Sequence, residues 1–390
     1  RNSRNHEVFE MIYVRRGSQA FEMLTILSVV GEFPNCSIHL LGRERVYQSL
    51  VAKLTEPQTF CQTETGKQLT TKLLTLSGKR GDKTVRLYRK ALPILDWIGA
   101  DEYYRDTFKN HKFSGDASHI NRNHRVAEAT VMMRRVGLEI RPYLLPKLQS
   151  QRIEVRVTEP TFYPSRILKG TFLADMNKTM FTRIVGALFS GDTCYAVYNT
   201  RAAVMKWCGR GEFKAKQSLG EVCRMNAGIH EVDSAILFGN DASIALGTLR
   251  GADEDKHKEY RFDSIYDHIH YVPLSQEGIR QLRFFLIPRW QEQLLEMLFD
   301  DADRSFDAGL FEYDAFVDGT YVLAHFDGDI ARLIRYREGI EHIPAHHEVL
   351  CFPHQVSYLR AYLGDAVHIK TIDILTLENE FGIGKEKDEI

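Results

Sequence analysis

Apolar residues recur at helical spacing through the first part of the chain. Gln19 to Gly31 sets Phe21, Leu24, Ile26, Leu27 and Val30 for burial, which predicts an amphipathic helix. Glu32-Phe33-Pro34-Asn35 breaks it, and a short helix is expected over Ser37 to Leu41. Arg43 to Leu54 predicts a further helix, with Val46, Leu50, Val51 and Leu54 on one face and Arg43, Arg45, Gln48, Ser49 and Lys53 elsewhere on its surface. Thr55 to Thr71 is polar and shows no period. Leu73 to Leu76 and Thr84 to Tyr88 read as strands around Ser77 to Lys83, a Gly-rich basic turn suited to a hairpin. Ala91 to Ile98 resumes as a helix, Asp101 to Ser118 reads as a loop with room for a turn of helix, and His119 to Val136 predicts a helix stopped by Gly137.

The order helix, helix, helix, strand, basic turn, strand is the winged-helix plan. In that plan the third helix enters the major groove and the hairpin brings cations to neighbouring phosphates. Lys79, Arg80 and Lys83 are then the wing contacts, and the surface residues of the third helix are the reading face. A small α+β domain with a solvated basic turn fits the same order, and winged helices also mediate protein contacts. Arg122-Asn123-His124-Arg125, near a helix start, could hold a phosphate or a partner or form an exposed face.

From Leu138 the pattern mixes. Ile153 to Val157 and Ser165 to Leu168 read as strands, and Arg183 to Leu188 and Thr193 to Tyr198 as a hairpin around Ser190-Gly191-Asp192. Ala202 to Asn226 reads as largely helical, Ser234 to Phe238 as a strand, Ala242 to Leu249 as a helix and Ala252 to Lys258 as a charged loop. His268 to Val272 predicts a strand, and Ser275 to Leu286 and Pro288 to Phe299 predict consecutive helices. The remainder alternates: a hairpin around Asp318-Gly319, a helix from Asp329, a strand from Glu348, a helix from Gln355 and a strand from Val367, with Gly384 to Ile390 frayed. Strands alternating with helices and hairpins predict a mixed-sheet α/β domain, within an α+β chain overall. The expected division is 1–100, a connecting helix region over 101–140, and 141–390, in which a C-terminal subdomain could begin near 300.

Charge sharpens this picture. Arg1 to Ser150 holds 24 Lys and Arg against 15 Asp and Glu, while the rest holds 27 against 37. A basic front and an acidic rear suit a polyanion-binding front end, or two halves that attract each other. No apolar run is long enough for a membrane span. Arg1 to Arg16 lacks the apolar stretch of a secretory signal, and the first residue is Arg, so the chain could be incomplete at its start. The six cysteines are scattered with no CxxC pair, which suits free thiols in a reducing, cytoplasmic setting.

Motifs for chemistry are sparse. Gly66-Lys67 lacks the rest of a phosphate-binding loop, since Cys61 stands where the first Gly belongs and Gln68 where the hydroxyl belongs. His342, His346 and His347 beside Glu341 and Glu348 offer zinc-ligand types, and His268 and His270 share a strand face. With 15 histidines in the chain such groupings are expected by coincidence, so both read as structural or solvated, and no metal or cofactor is expected. Glu212-Phe213-Lys214 is an ExK triplet, as used by metal-dependent nucleases in which Lys orients the attacking water. Asp192 and Asp175 are further carboxylates. The triplet falls in a segment read as helix, so an exposed charged turn is preferred over catalysis by Glu212 and Lys214.

Several segments in order carry a resemblance: Leu73 to Arg89 with its hairpin, Arg122-Asn123-His124-Arg125 through Glu128, Phe162-Tyr163-Pro164-Ser165, Tyr195 to Trp207 with Glu212, and Cys351-Phe352-Pro353-His354-Gln355. Across most of its length the chain resembles the replication-relaxation family of bacterial mobile elements. That resemblance implies a winged helix for DNA, a rear domain related to restriction-endonuclease-like folds, and a place in plasmid or transposon replication or transfer. The Asp of an active nuclease is missing around Tyr163-Pro164-Ser165, which implies binding or assembly.

The expectation is therefore a DNA-binding protein of a mobile element, acting without catalysis on double-stranded DNA, with other replication or transfer proteins as further partners and no membrane. Its DNA contacts are Arg43, Arg45, Gln48, Ser49, Lys53, Lys79, Arg80, Lys83, Arg122 and Arg125. The alternatives are a Mg²⁺-dependent nuclease and a scaffold that uses the winged helix for protein contacts.

Overall fold

The computed structural model describes residues 11–78, 83–138, 159–170, 183–205, 210–227, 229, 231–254, 262–305 and 311–383. The chain is an α+β protein with several sheets. It divides into two units, Arg1–Val131 and Met132–Ile390.

In the front unit, α1 (Gln19–Val30) starts where Ser18 Oγ accepts the Phe21 N–H at 3.2 Å, and it ends at Gly31. A capping hydroxyl fills one of the donors that a helix start leaves open. The helix buries Met23, Leu24, Ile26, Leu27 and Val30. The breaker after it is a short strand, and a 3₁₀ turn covers Asn35–Leu40. Next comes α2 (Glu44–Thr55), which buries Tyr47, Val51 and Leu54. Val46, expected inside, is exposed and Tyr47 takes its place; one residue's step is about 100° around the axis.

The polar stretch from Thr55 forms strands. With β1 as Met11–Val14 and β2 as Glu32–Pro34, it supplies β3 (Gln58–Gln62) and β4 (Gln68–Thr71). These two form a hairpin, and β1 adds in parallel to β3. Gly66 takes φ +69° in the turn, so Gly66-Lys67 closes a hairpin and does not open a helix. Strands β5 (Leu74–Ser77) and β6 (Thr84–Leu87) pair antiparallel, and β2 joins on the far side of β6, giving the order β2-β6-β5.

Asp101 to Ser118 is also partly helical. After α3 (Leu92–Trp97) comes α4 (Asp101–Thr107), anchored by buried Tyr104 and Phe108 one turn apart. Helix α5 (Ala117–Arg135) then follows, its residues to Val131 belonging to the front unit.

The rear unit begins with β7 (Thr161–Pro164) and α6 (Ser165–Gly170), a helix where a strand was expected over Ser165 to Leu168; Ile153 to Val157 lies outside the described residues. Strands β8 (Ile184–Ser190) and β9 (Thr193–Arg201) form the expected hairpin. Helix α7 (Arg210–Ala227) leads to β10 (Ser234–Gly239), followed by α8 (Ala242–Glu254), α9 (Phe262–Ile265) and β11 (His268–Pro273). The sheet order is β11-β10-β9-β8-β7, with β9, β10 and β11 parallel and the other pairs antiparallel. Every residue of β10 is buried, as in a parallel strand covered on both faces.

Helices α10 (Gln276–Phe284) and α11 (Trp290–Leu298) precede a second sheet of β12 (Ala315–Val317), β13 (Thr320–Ala324), β14 (His346–Cys351) and β15 (His368–Thr371). Asp318 and Gly319 both have positive φ, which makes the tight β12–β13 hairpin their sequence predicts. Helix α12 (Ile330–Ile340) crosses from β13 to parallel β14, and α13 (Val356–Leu363) from β14 to parallel β15; α14 (Ile374–Glu380) follows. One cluster of buried side chains runs through both sheets, from Tyr198 and Leu237 to Leu323, Val349 and Cys351. Residues Gly384 to Ile390 lie outside the described residues. Among the described residues no helix is long and apolar enough to cross a membrane.

Candidate functional site

Helix α2 presents a polar ridge. Arg43, Arg45, Gln48 and Ser49 are exposed, with Val46 among them, and Lys53 is half-buried. Gln48 Nε2 donates to Glu44 Oε1 at 2.6 Å, so its amide is held along the helix. Lys83 is exposed at the foot of β6, and Arg89 and Lys90 are exposed just beyond it. Lys79 and Arg80 lie outside the described residues.

Arg122-Asn123-His124-Arg125 faces inward and does not form an exposed patch. Asn123 Nδ2 donates to Glu32 Oε2 at 2.8 Å, and Glu32, fully buried, also pairs with Arg86. His124 Nε2 lies 3.0 Å from Thr84 Oγ1, and Ser37 Oγ donates to the buried Glu128 carboxylate. Arg122 and Arg125 are half-buried. Asn123 and His124 dock α5 onto the β2-β6-β5 sheet, and the two arginines flank that seam.

Glu212 and Lys214 sit in the first turns of α7, not on a strand. Two residues apart on a helix point about 200° apart, so they cannot converge on one water. Lys214 is exposed; Glu212 is buried against Arg183, whose Nε is 3.4 Å from Oε1, and against the Tyr198 hydroxyl. Burial pushes the Glu212 carboxyl up from its usual range. Asp192 lies exposed in the β8–β9 turn, and Asp175 is outside the described residues. Nor do the histidines around 342 converge. His346 and His347 alternate across β14, His347 meets the Ile343 carbonyl at 3.1 Å, and Glu348 pairs with His368 at 2.6 Å.

The densest buried chemistry lies where β11 meets the segment between β13 and α12. His268 and His270 stack on one face of β11, ring centroids 6.2 Å apart. Opposite them runs His325-Phe326-Asp327-Gly328-Asp329. Tyr271 N donates to Gly328 O at 2.9 Å, and Gly328 has φ +69° with Tyr271 O only 2.5 Å from where a Cβ would stand. Only glycine lets the backbones approach this closely. Asp329 caps α12: its Oδ1 accepts from Ala331 N and Arg332 N at 3.0 and 3.2 Å, and from Ile269 N of β11 at 2.9 Å. Its Oδ2 accepts from His268 Nδ1 at 2.7 Å.

Asp327 Oδ1 accepts from Asp329 N at 3.0 Å and its Oδ2 from Gln291 Nε2 at 2.6 Å. His270 Nδ1 lies 3.5 Å from that Oδ2. Gln281 ties the backbones together, donating to Tyr271 O and Asp327 O at 3.0 and 3.1 Å. Arg332 reaches Glu312 and Asp314 at 2.8 and 2.6 Å.

No family model, curated protein or solved structure matches this chain.

The surroundings displace the ionisation of both aspartates and the three histidines of this cluster. Burial opposes ionisation of Asp329, but the His268 hydrogen bond and the His270 and His268 charges hold its carboxyl well below the usual range. Burial raises Asp327, lowers His270 and drives His325 down to about 3. The hydrogen bond to Asp329 raises His268. His270, His325, Asp327 and Asp329, enclosed as they are, do not meet a diffusing substrate. They can hold charge, a proton or an ion between two strands.

Sequence reasoning singles out His268 and His270 and misses Asp327 and Asp329. The signal is present as Asp-Gly-Asp directly before an apolar helix, an N-cap pattern. The separation of some sixty residues from the histidines hides the pairing.

Proposed function

We propose that the protein binds double-stranded DNA through its front unit, in the replication, maintenance or transfer of a mobile genetic element. The exposed ridge of Arg43, Arg45, Val46, Gln48 and Ser49 on α2 carries the reading. Helix α2 is backed by Tyr47, Val51 and Leu54, so the ridge is rigidly presented and free of core duty. The sheet order β2-β6-β5, with α1 directly before β2 and the 3₁₀ turn and α2 between β2 and β5, supports a winged-helix reading. The β5–β6 turn carries Lys79, Arg80 and Lys83 as the wing. In this reading the arginines and Gln48 meet base edges, Val46 offers an apolar surface to a thymine methyl, and the wing cations meet phosphate. Arg122 and Arg125, half-buried beside the inward-facing Asn123 and His124, are secondary contacts in this reading. The place in a mobile element rests on the resemblance alone.

The test is anisotropy of a labelled duplex of mixed sequence with the full chain, titrated between about 50 and 200 mM salt. Affinity should fall steeply. Replacing Lys79, Arg80 and Lys83 together by Ala should flatten the slope of log K against log salt by about 0.9 for each phosphate no longer neutralised. Arg45→Ala should weaken binding and leave the slope nearer to that of the wild type. An unchanged slope in the triple variant would rule out the wing, and salt-insensitive or absent binding would favour a protein-contact role.

A further inference from the structure

His270, Asp327 and Asp329 bring one ligand atom each within 4.8 Å of one another. All three are almost wholly buried, at 2%, 3% and 0% exposure. His270 Nδ1 is aimed at Asp327 and has no hydrogen-bond partner among the described residues. A buried imidazole nitrogen left without a partner is destabilising. Two carboxylates this close in a dry interior are destabilising as well unless a cation stands between them. Of the nearby cations, Arg332 is committed to Glu312 and Asp314 and Arg335 to Glu312, while half-exposed His268 pairs with Asp329 and leaves Asp327 without a cation of its own. Counting Glu312, Asp314, Asp327 and Asp329 against these three bases leaves the region negative even with His268 charged.

We propose that His270 Nδ1 and the carboxylates of Asp327 and Asp329 bind one divalent transition-metal ion, Zn²⁺ by preference, with a buried water as fourth ligand, in a structural site that clips β11 to the turn before α12. One imidazole with two carboxylates is a borderline donor set, which suits Zn²⁺ better than the all-oxygen, well-hydrated sites of Ca²⁺ and Mg²⁺. Zinc bonds of about 2.0–2.2 Å need ligand atoms about 3.3 Å apart, so small rotations of the side chains complete the site. The outer partners are in place. His268 donates to the Asp329 carboxylate and Gln291 to that of Asp327, which orients the ligands as outer hydrogen bonds do in metal sites. Burial on all sides excludes a substrate from the ion, so it holds structure and does no chemistry. The proposal is independent of the DNA reading.

The experiment is elemental analysis of the purified full chain, then Zn²⁺ titration of chelator-treated protein with thermal unfolding as a second readout. The expected result is one Zn²⁺ per chain, a rise in melting temperature on binding, and binding weakened in Asp327→Asn by more than the roughly 10–100-fold that loss of an outer partner costs. Without metal, Asp327→Asn should be no less stable than the wild type, since it removes a buried charge and keeps the shape. Where that variant does not fold, X-ray absorption of the wild-type complex decides: one imidazole with oxygen ligands supports the site, whereas two imidazoles place the ion on exposed His346 and His368 and overturn it. Zinc uptake lost in His368→Ala but kept in Asp327→Asn would overturn the proposal. So would the absence of stoichiometric binding and of any thermal shift with Zn²⁺, Mn²⁺ or Co²⁺.

Discussion

His354 should make the rear unit acid-sensitive by an amount that one substitution removes. Its ring stacks on Phe352, and its Nε2 lies 3.0 Å from Gln281 Oε1. Burial drives its pKa down to about 4, against the partial opposition of Glu277. An unfolded histidine takes up its proton near pH 6.5, at about the ordinary value for the side chain. The folded pKa is the lower one, so the stability is fully present above about pH 6.5 and is lost as pH falls towards about 4. Between about pH 7.5 and pH 5 the wild type should lose about 2 kcal/mol through this one group. His354→Gln keeps a donor for Gln281 and does not titrate. Urea unfolding is followed by fluorescence of Trp290, which is buried against Phe284 and Phe285; Trp97 and Trp207 are replaced by Phe. The variant should be less pH-sensitive than the wild type by about that amount. Equal losses in the two proteins would show that His354 is not held neutral by burial and would refute the reasoning.

Two further outcomes follow from close packing and from helix geometry. A Cβ at Gly278 would collide with the Pro273 carbonyl, whereas Gly251 of α8 has open space around it. Gly278→Ala should therefore cost more than about 2 kcal/mol, and Gly251→Ala should gain about 0.5–1 kcal/mol, both read as shifts of the urea midpoint. Glu212→Gln should leave plasmid DNA nicking in Mg²⁺ unchanged from the wild type, because the carboxylate is spent on Arg183 and Tyr198; a nicking activity lost in that variant would restore the ExK reading.

Elements with strong periodicity or firm punctuation are legible in the sequence. Helix α1 with its Ser18 cap, the β8–β9 and β12–β13 hairpins, and the alternation from β13 to β15 follow from local chemistry. Strands β3 and β4 are not legible, because their polar residues bury little beyond Phe60, Cys61 and Thr71. Pairing with neighbours, not a hydrophobic face, defines them. Helix α6 is hidden by an apolar spacing too short to separate strand from helix, although Pro164-Ser165 at its start is a helix-start signal. The charge of Arg122-Asn123-His124-Arg125 suggests surface. Glu32, Thr84 and the seam they line come from distant sequence, and no local pattern reveals them. The α2 ridge is legible except at Val46, where the helix phase differs by one residue from the apolar pattern.

The pairing of β11 with Gly328 has a consequence for cutting the chain. A boundary near 300 looks natural from sequence, at the end of α11. A fragment stopping there would carry β11 with its Tyr271 and Ile269 amides stripped of their acceptors, and with His268 lacking its counter-charge. The complementary piece would begin with a second sheet whose first helix start is pinned from outside. Neither piece holds a finished core, since the buried cluster runs through both sheets. Expressed separately they should be insoluble. Produced together they should find each other, as the halves of a split reporter do. The turn from His325 to Asp329 is the seam along which they would rejoin.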